Sequence, residues 1–168
     1  GVGQVRKIFK RDFKGEETLY YEIYLEVSDM TVFVPVDKAE DLGIRAIVPK
    51  KQADAALSLI AEEFEPVPAD WKMRYQMNLD LLKQGSIQDI ATVVRALYHR
   101  SKVKELPILE RKLFDSALKL LVDEVSFSLD KSKGDVEELV FTRLESEPKK
   151  PAKKSAAKAS EKTDESSS

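Results

Sequence analysis

The segment Trp71-Lys72-Met73-Arg74-Tyr75 carries the single tryptophan of the chain and sets it beside two cations. It follows the loop Glu65-Pro66-Val67-Pro68-Ala69-Asp70, whose spaced prolines keep the backbone extended. Asp70 is a good N-cap, so Trp71 falls at the first helical position. A flat apolar ring at a helix entrance, next to Lys72 and Arg74, has the parts needed to lever stacked bases apart while cations hold the phosphates. The same position suits a staple, in which the indole folds back over its own helix and seals a domain junction. Position alone tilts slightly toward the staple, and the two readings stay open at this point.

Other chemistry finds little to stand on. His99 is the only histidine, in Tyr98-His99-Arg100-Ser101 at a helix end with no acid near it in sequence, and reads as a partner for the helix dipole. With no cysteine there is no disulfide framework, thiolate zinc site or cysteine nucleophile. The clusters Glu62-Glu63 and Glu137-Glu138 lack histidine companions and read as solvated helix faces. Gly1-Val2-Gly3 has Arg6 where a dinucleotide loop needs its third glycine, and no Walker-type lysine motif occurs. The expectation is a binding protein without cofactor or metal, not an enzyme.

The chain has 168 residues, 42% of them hydrophobic and 35% charged, enough for one or two small soluble domains. No apolar run approaches a membrane span and the N-terminus has no signal-peptide pattern, so the expected setting is cytoplasmic. A net charge of −2 hides a partition. Residues 1–70 carry −5, residues 71–104 carry +5, residues 105–147 carry −5 and residues 148–168 carry +3. The basic block is the one that begins at Trp71.

The elements that would position these residues fall into two kinds. Leu19, Tyr21, Ile23, Leu25 and Val27 alternate with Tyr20, Glu22, Tyr24 and Glu26, the period of a half-buried strand. Met30, Val32, Val34 and Val36 repeat it after a Ser28-Asp29 turn, and Pro35 makes that end an edge or a bulge. Val5 to Phe9 is a weaker strand, ended by a charged turn over Arg11 to Glu16. Together they suggest a small SH3- or Tudor-like barrel.

After Leu42-Gly43 the pattern turns helical. Pro49-Lys50-Lys51 leads into a helix with Leu57, Ile60, Ala61 and Phe64 on one face. The Trp71 helix should bury Met73, Met77 and Leu81, with Tyr75, Leu79 and Leu82 on the flank, and stop at Gly85. Ser86 opens a third helix, with Asp89 three positions on. A fourth begins near Leu106-Pro107, carrying Leu109, Leu113, Ala117, Leu120, Leu121 and Val125. A short fifth carries Val136, Leu139, Val140 and Leu144. The fold class is α+β, with expected domains at 1–48 (sheet), 49–147 (compact helical) and 148–168 (a disordered Lys/Ala/Ser-rich tail). The start on Gly1-Val2-Gly3, already in a strand pattern, points to a first strand missing from a longer protein.

Several strings in order resemble the CarD/CdnL family of bacterial transcription regulators, over nearly the whole chain to about residue 145. These are Gly1-Val2-Gly3-Gln4-Val5, then Val32-Phe33-Val34-Pro35-Val36 with Leu42-Gly43-Ile44-Arg45. Trp71-Lys72-Met73-Arg74-Tyr75, Gly85-Ser86, Val93-Val94-Arg95-Ala96-Leu97-Tyr98 and Glu110-Arg111-Lys112-Leu113 complete the set. The resemblance implies a Tudor-like module, shared with transcription-repair coupling factors, that docks on the RNA polymerase β subunit. It implies a helical domain on promoter DNA at the upstream edge of the bubble, with Trp71 wedged in the minor groove to stabilise the open complex, largely independent of sequence.

By the same resemblance, Arg11 matches a basic position that contacts polymerase. Phe33 stands where a second basic position is usual, with Val34 and Pro35 beside it on an edge open to β-augmentation. Trp71 and Arg74 match the DNA-contacting positions, while Gln76 stands where relatives are often basic. Lys72, Arg95 and Arg100 are further DNA candidates, each equally suited to a solvated face. The protein is expected to act as a monomer. Two other readings are a protein–protein adaptor with Trp71 as staple, and an RNA-binding module stacking bases on Tyr20, Tyr24 and Phe33. The acidic balance of residues 1–70 opposes the last.

Overall fold

The alternation that starts at Leu19 belongs to β2 (Glu16–Leu25), the centre of a three-stranded antiparallel sheet between β1 (Gln4–Phe13) and β3 (Met30–Pro35). The computed structural model describes residues 1–26, 28–62 and 67–146. The expectations for Val27, for Phe64 and for a disordered 148–168 tail lie outside the described residues. Ile23, Val34 and Ala39 form a small buried core, with Tyr21, Leu25 and Val32 half-buried against it. That is the face selected by the period-two pattern, although Leu19 and Met30 at its ends remain exposed. Three strands in this order leave an open meander with two outer edges, so the expected barrel is not closed among the described residues.

The charged turn contracts. β1 runs on to Phe13, and only Lys14 and Gly15, at φ of 55° and 81°, make the reversal. Such a two-residue turn follows the twist of the flanking strands but demands left-handed backbone at both positions. Gly15 adopts it freely. Arg11 therefore lies in a strand, paired with Thr18, and not in a turn. Charged residues are no obstacle there, because β1 is an edge strand and charge guards an edge against unwanted pairing. Pro35 ends β3, the other edge strand, as its missing N–H requires.

A 3-10 turn (Val36–Lys38) leads from the sheet toward the helices, of which five are present among the described residues. They are α1 (Lys50–Ile60), α2 (Trp71–Gln84), α3 (Ile87–Val103), α4 (Ile108–Leu129) and α5 (Lys133–Glu145). Ser86 caps α3 by accepting from the Asp89 N–H at 3.0 Å, and Ser132 caps α5 by accepting from the Asp135 N–H at 3.1 Å. Gly85, left-handed at φ 77°, ends α2 and turns the chain straight into α3. Pro107 sits at the N-cap of α4, one place before the first turn.

α3 and α4 form the centre of the helical core through Val93, Val94, Leu97, Ala117, Leu121 and Val125, all buried. α1 adds Leu57 and Ile60, and α5 adds Val136, Val140 and Leu144. Each large side chain of this kind contributes about 1.5–3 kcal/mol by leaving water. α2 departs from expectation. Met73 and Met77 are 61% and 48% exposed, and the residues it buries are Arg74 and Asn78. Leu109, expected in the core, is also exposed.

Replacing Gly15 by alanine forces a Cβ into left-handed backbone and should weaken the β1–β2 hairpin by about 1–2 kcal/mol. Amide exchange will report it as faster exchange in β1 and β2, with α3 and α4 unchanged.

Candidate functional site

The α2 entrance is built around Asp70, whose side chain accepts the Lys72 N–H at 3.0 Å. That cap leaves Trp71 as the first helical residue, 37% exposed, with Lys72 exposed beside it. The ring is neither sealed in the core nor fully free. Its backbone is held from below by Arg74, which is only 2% exposed. Arg74 Nε donates to Glu110 Oε2 at 2.7 Å and Nη2 donates to Glu110 Oε1 at 2.5 Å. Nη1 donates to the carbonyls of Pro68 at 3.0 Å and Ala69 at 3.3 Å, tying down the loop that delivers Trp71.

This corrects the role expected for Arg74. A guanidinium whose fork is filled by a fully buried carboxylate has no surface to offer a phosphate. It also explains the rotation of α2. Turning Arg74 inward to meet Glu110 carries Met73 and Met77 outward, and an unpaired buried carboxylate would cost far more than two exposed thioethers. The pairing partner lies 36 residues away, so no local signal in the sequence points to it.

The same pair draws helix ends together. It binds the start of α2 to the start of α4, and the short segment before Ile108 brings in the end of α3. Lys72, Lys102, Lys104, Arg111 and Lys112, all exposed, and the half-buried Arg100 therefore belong to helix ends that meet. Lys102 lies 4.9 Å over the Tyr98 ring, and Arg111 is 3.6 Å from Asp115. Exposed Val103, Ile108 and Leu109 interleave with these cations. The charge count had marked Lys102 and Lys104 only as part of a basic block; Arg111 and Lys112 join them through tertiary structure alone.

Arg95 is directed to a different task. It is half-buried, and its Nη1 donates to the Leu59 carbonyl near the end of α1 at 3.0 Å. Burial lowers its pKa, opposed by the charge of Glu62. Part of the Arg95 guanidinium is thus engaged between α1 and α3 and is drawn back from the surface. Burial, and then the charge of Arg95, likewise hold the His99 imidazole below its ordinary pKa. That shift disfavours the imidazolium, the form a helix dipole would favour.

On the sheet, the register sorts the second group of candidates by face. Phe9 pairs with Tyr20 and Tyr20 with Pro35, while Lys7 pairs with Glu22 and Glu22 with Phe33. Arg11, Phe33 and Pro35 thus share one face with Phe9 and Tyr20. The Phe9 and Tyr20 rings stack at 5.9 Å, and Phe33, 51% exposed, meets Phe9 edge-on at 5.6 Å. Val34 faces the opposite way into the sheet core, because successive side chains alternate, so it can offer a partner only its backbone. Arg6 lies 4.0 Å over the Tyr24 ring, and the Tyr24 hydroxyl donates to Asp29 at 2.6 Å, a bond that raises its pKa.

The two sheet edges differ in kind. β1 carries Arg6, Lys7, Lys10 and Arg11, whereas β3 reads Met30-Thr31-Val32-Phe33-Val34-Pro35 without a charge. Charge repels an added strand, and an uncharged edge accepts one.

A sheet with one uncharged edge is followed by a helical unit whose partly exposed indole stands beside the exposed Lys72. Residues 1–48 match the CarD-like/TRCF RID domain, and residues 55–141 match the CarD C-terminal domain. The chain is 35% identical to "Putative transcription factor YdeB" of Bacillus subtilis (strain 168), over 129 residues covering 74% of this chain and 82% of that protein. It belongs to the CarD-like transcription factor family. Its role is accordingly in transcription and not in catalysis, and the RID domain implies interaction with RNA polymerase. No helix among the described residues is long and apolar enough to cross a membrane.

Truncating Arg74 to alanine strands the Glu110 carboxylate and should destabilise the helical unit by about 3–5 kcal/mol. The double replacement Arg74→Met with Glu110→Leu should recover much of the loss. Thermal melts followed by circular dichroism check both; a stably folded Arg74→Ala that lost only DNA affinity would restore the phosphate role.

Proposed function

We propose that the sheet, residues 1–48, attaches to the RNA polymerase β subunit, while the helical unit, residues 49–147, lies on promoter DNA at the upstream edge of the bubble and stabilises the open complex. The attachment is a strand added along the uncharged β3 edge in a Tudor-like module. Phe33, with Phe9 and Tyr20 behind it, acts as an apolar anchor, and Arg11 flanks it as a cation.

The observation that carries the DNA half of the reading is the partly exposed Trp71 ring, standing on backbone that the Arg74–Glu110 pair holds and next to the exposed Lys72. A wedge needs such a footing, since a floppy indole would lose to its own ordering what it gains by insertion. Unstacking intact duplex costs a few kcal/mol, but at a bubble edge the distortion is already present. Trp71 then binds the melted state better than the closed one, and that difference is what shifts the equilibrium. Lys72 and Arg100, joined by Lys102, Lys104, Arg111 and Lys112, hold phosphates, so recognition follows shape and charge rather than base sequence. Arg74 supports this surface from beneath. The protein works as a monomer in the cytoplasm, at the nucleoid.

Trp71→Ala should shorten open-complex lifetime about tenfold, equivalent to about 1.4 kcal/mol, with polymerase binding and the thermal melt nearly unchanged. An unaltered lifetime would return the indole to a staple in an adaptor. Conversely, Arg11→Glu and Phe33→Glu in the full chain should each abolish capture of the polymerase β subunit while leaving the helical unit folded. Lys72→Ala should reduce the slope of log affinity against log salt by about 1 for the assembled complex.

A further inference from the structure

Strands and helices touch only slightly, and the segment from Val36 to Pro49 joins them. Between them lies a cavity of about 440 Å³, lined by Val5, Ile23 and Leu25 on the sheet side and Leu82, Ile90 and Leu120 on the helical side. Sheet and helices share little direct packing, so the polar links between them bear on their relative angle.

Arg45 crosses this gap. Its Nη1 donates to Glu124 Oε2 at 2.7 Å and its Nη2 to Glu124 Oε1 at 2.6 Å. Its Nε donates to the Gly85 carbonyl at 3.0 Å. One guanidinium thus grips the middle of α4 and the end of the Trp71 helix. Glu124 is buried and also accepts the Val48 N–H at 3.1 Å, while Ser128 Oγ donates to the Val48 carbonyl at 2.7 Å. The arm that carries Arg45 is equally tied at its sheet end. The Ile44 N–H donates to the carbonyl of Ala39, a sheet-core residue, at 2.9 Å, and Gly43 takes the left-handed turn between them at φ 76°.

We infer that Arg45 is a positioning residue: by clamping Glu124 and Gly85 it fixes the angle at which the sheet carries the helical unit. α2 has 14 residues, so Trp71 stands about 20 Å from the clamped Gly85 end at 1.5 Å per residue. A rotation of about 15° at the clamp would swing the indole by about 5 Å over that length, enough to miss a base step. The consequence for DNA rests on the function proposed above; the fixed angle does not.

The chain contains no cysteine, so the full-length variant carrying Glu17→Cys on β2 and Lys119→Cys on α4 accepts two spin labels without background. Dipolar spectroscopy should give one narrow distance distribution for this parent and a broad one after Arg45→Ala. If Arg45→Ala loses helical circular dichroism, Arg45→Met keeps the aliphatic stem, removes every donor and should broaden the distribution in a folded chain. A narrow distribution in the folded variant, or a broad one already in the parent, overturns the inference. With polymerase, Arg45→Ala should retain capture of the β subunit and shorten open-complex lifetime no further in a Trp71→Ala background, since both would act through one contact. Were Trp71→Ala silent, the proposed function would fall while the distance measurement still judged the clamp.

Discussion

The pairing of Arg74 with Glu110, sealed from water, is the interaction on which the shape of the helical unit turns. It decides which face of α2 points inward, ties the Pro68-Ala69 loop to the helix that follows, and brings three helix ends to one place. Two further buried carboxylates of α4 meet cations that stay partly exposed: Asp123 with Lys133 of α5 at 3.2 Å, and Glu124 with Arg45 of the connecting arm. The three buried carboxylates Glu110, Asp123 and Glu124 each meet a cation from a different segment, so α4 ties together α2, α5 and the connecting arm.

Buried ion pairs are weak contributors to net stability, because desolvation offsets most of the attraction. Their effect is on specificity. An apolar α2 stripe could slide against α4 by a turn with modest loss, whereas a fork-shaped guanidinium accepts its carboxylate in one arrangement only. In a protein whose proposed work is to present one ring at one spot, register counts for more than total binding energy. This accounts for the polar residues at the centre of an otherwise aliphatic bundle.

The two candidate surfaces follow opposite rules. The sheet offers main-chain groups along an uncharged edge, with aromatic rings on the face above it, and needs little charge. The helical unit offers side chains at helix ends, cations around apolar tips, and needs no shape complementarity to a particular base. β1, with its four cations, is the exception in the acidic first third, and its edge position explains it.

Much of this was legible from residue order. Period-two alternation located β2 and β3, and capping residues at Asp70, Ser86 and Gly85 located the limits of α2 and α3. The family strings identified the kind of protein, because such strings preserve local geometry and spacing. The turn expected over Arg11 to Glu16 shrank to Lys14-Gly15, because its charged residues suggested solvent whereas an edge strand tolerates charge.

What the chain's order by itself determined, then, were the features that depend on near neighbours: strands, helix ends, the head-of-helix position of Trp71 and the basic block around it. Only the tertiary structure decided which cations face outward. Arg74 and Arg95 look the same as Lys72 and Arg100 along the chain, and their burial is set by Glu110 and the Leu59 carbonyl, each 36 residues away. The same holds for Arg45, whose partner Glu124 lies 79 residues on. A charge is judged by the partner it finds in space, and chain order carries no local record of that partner.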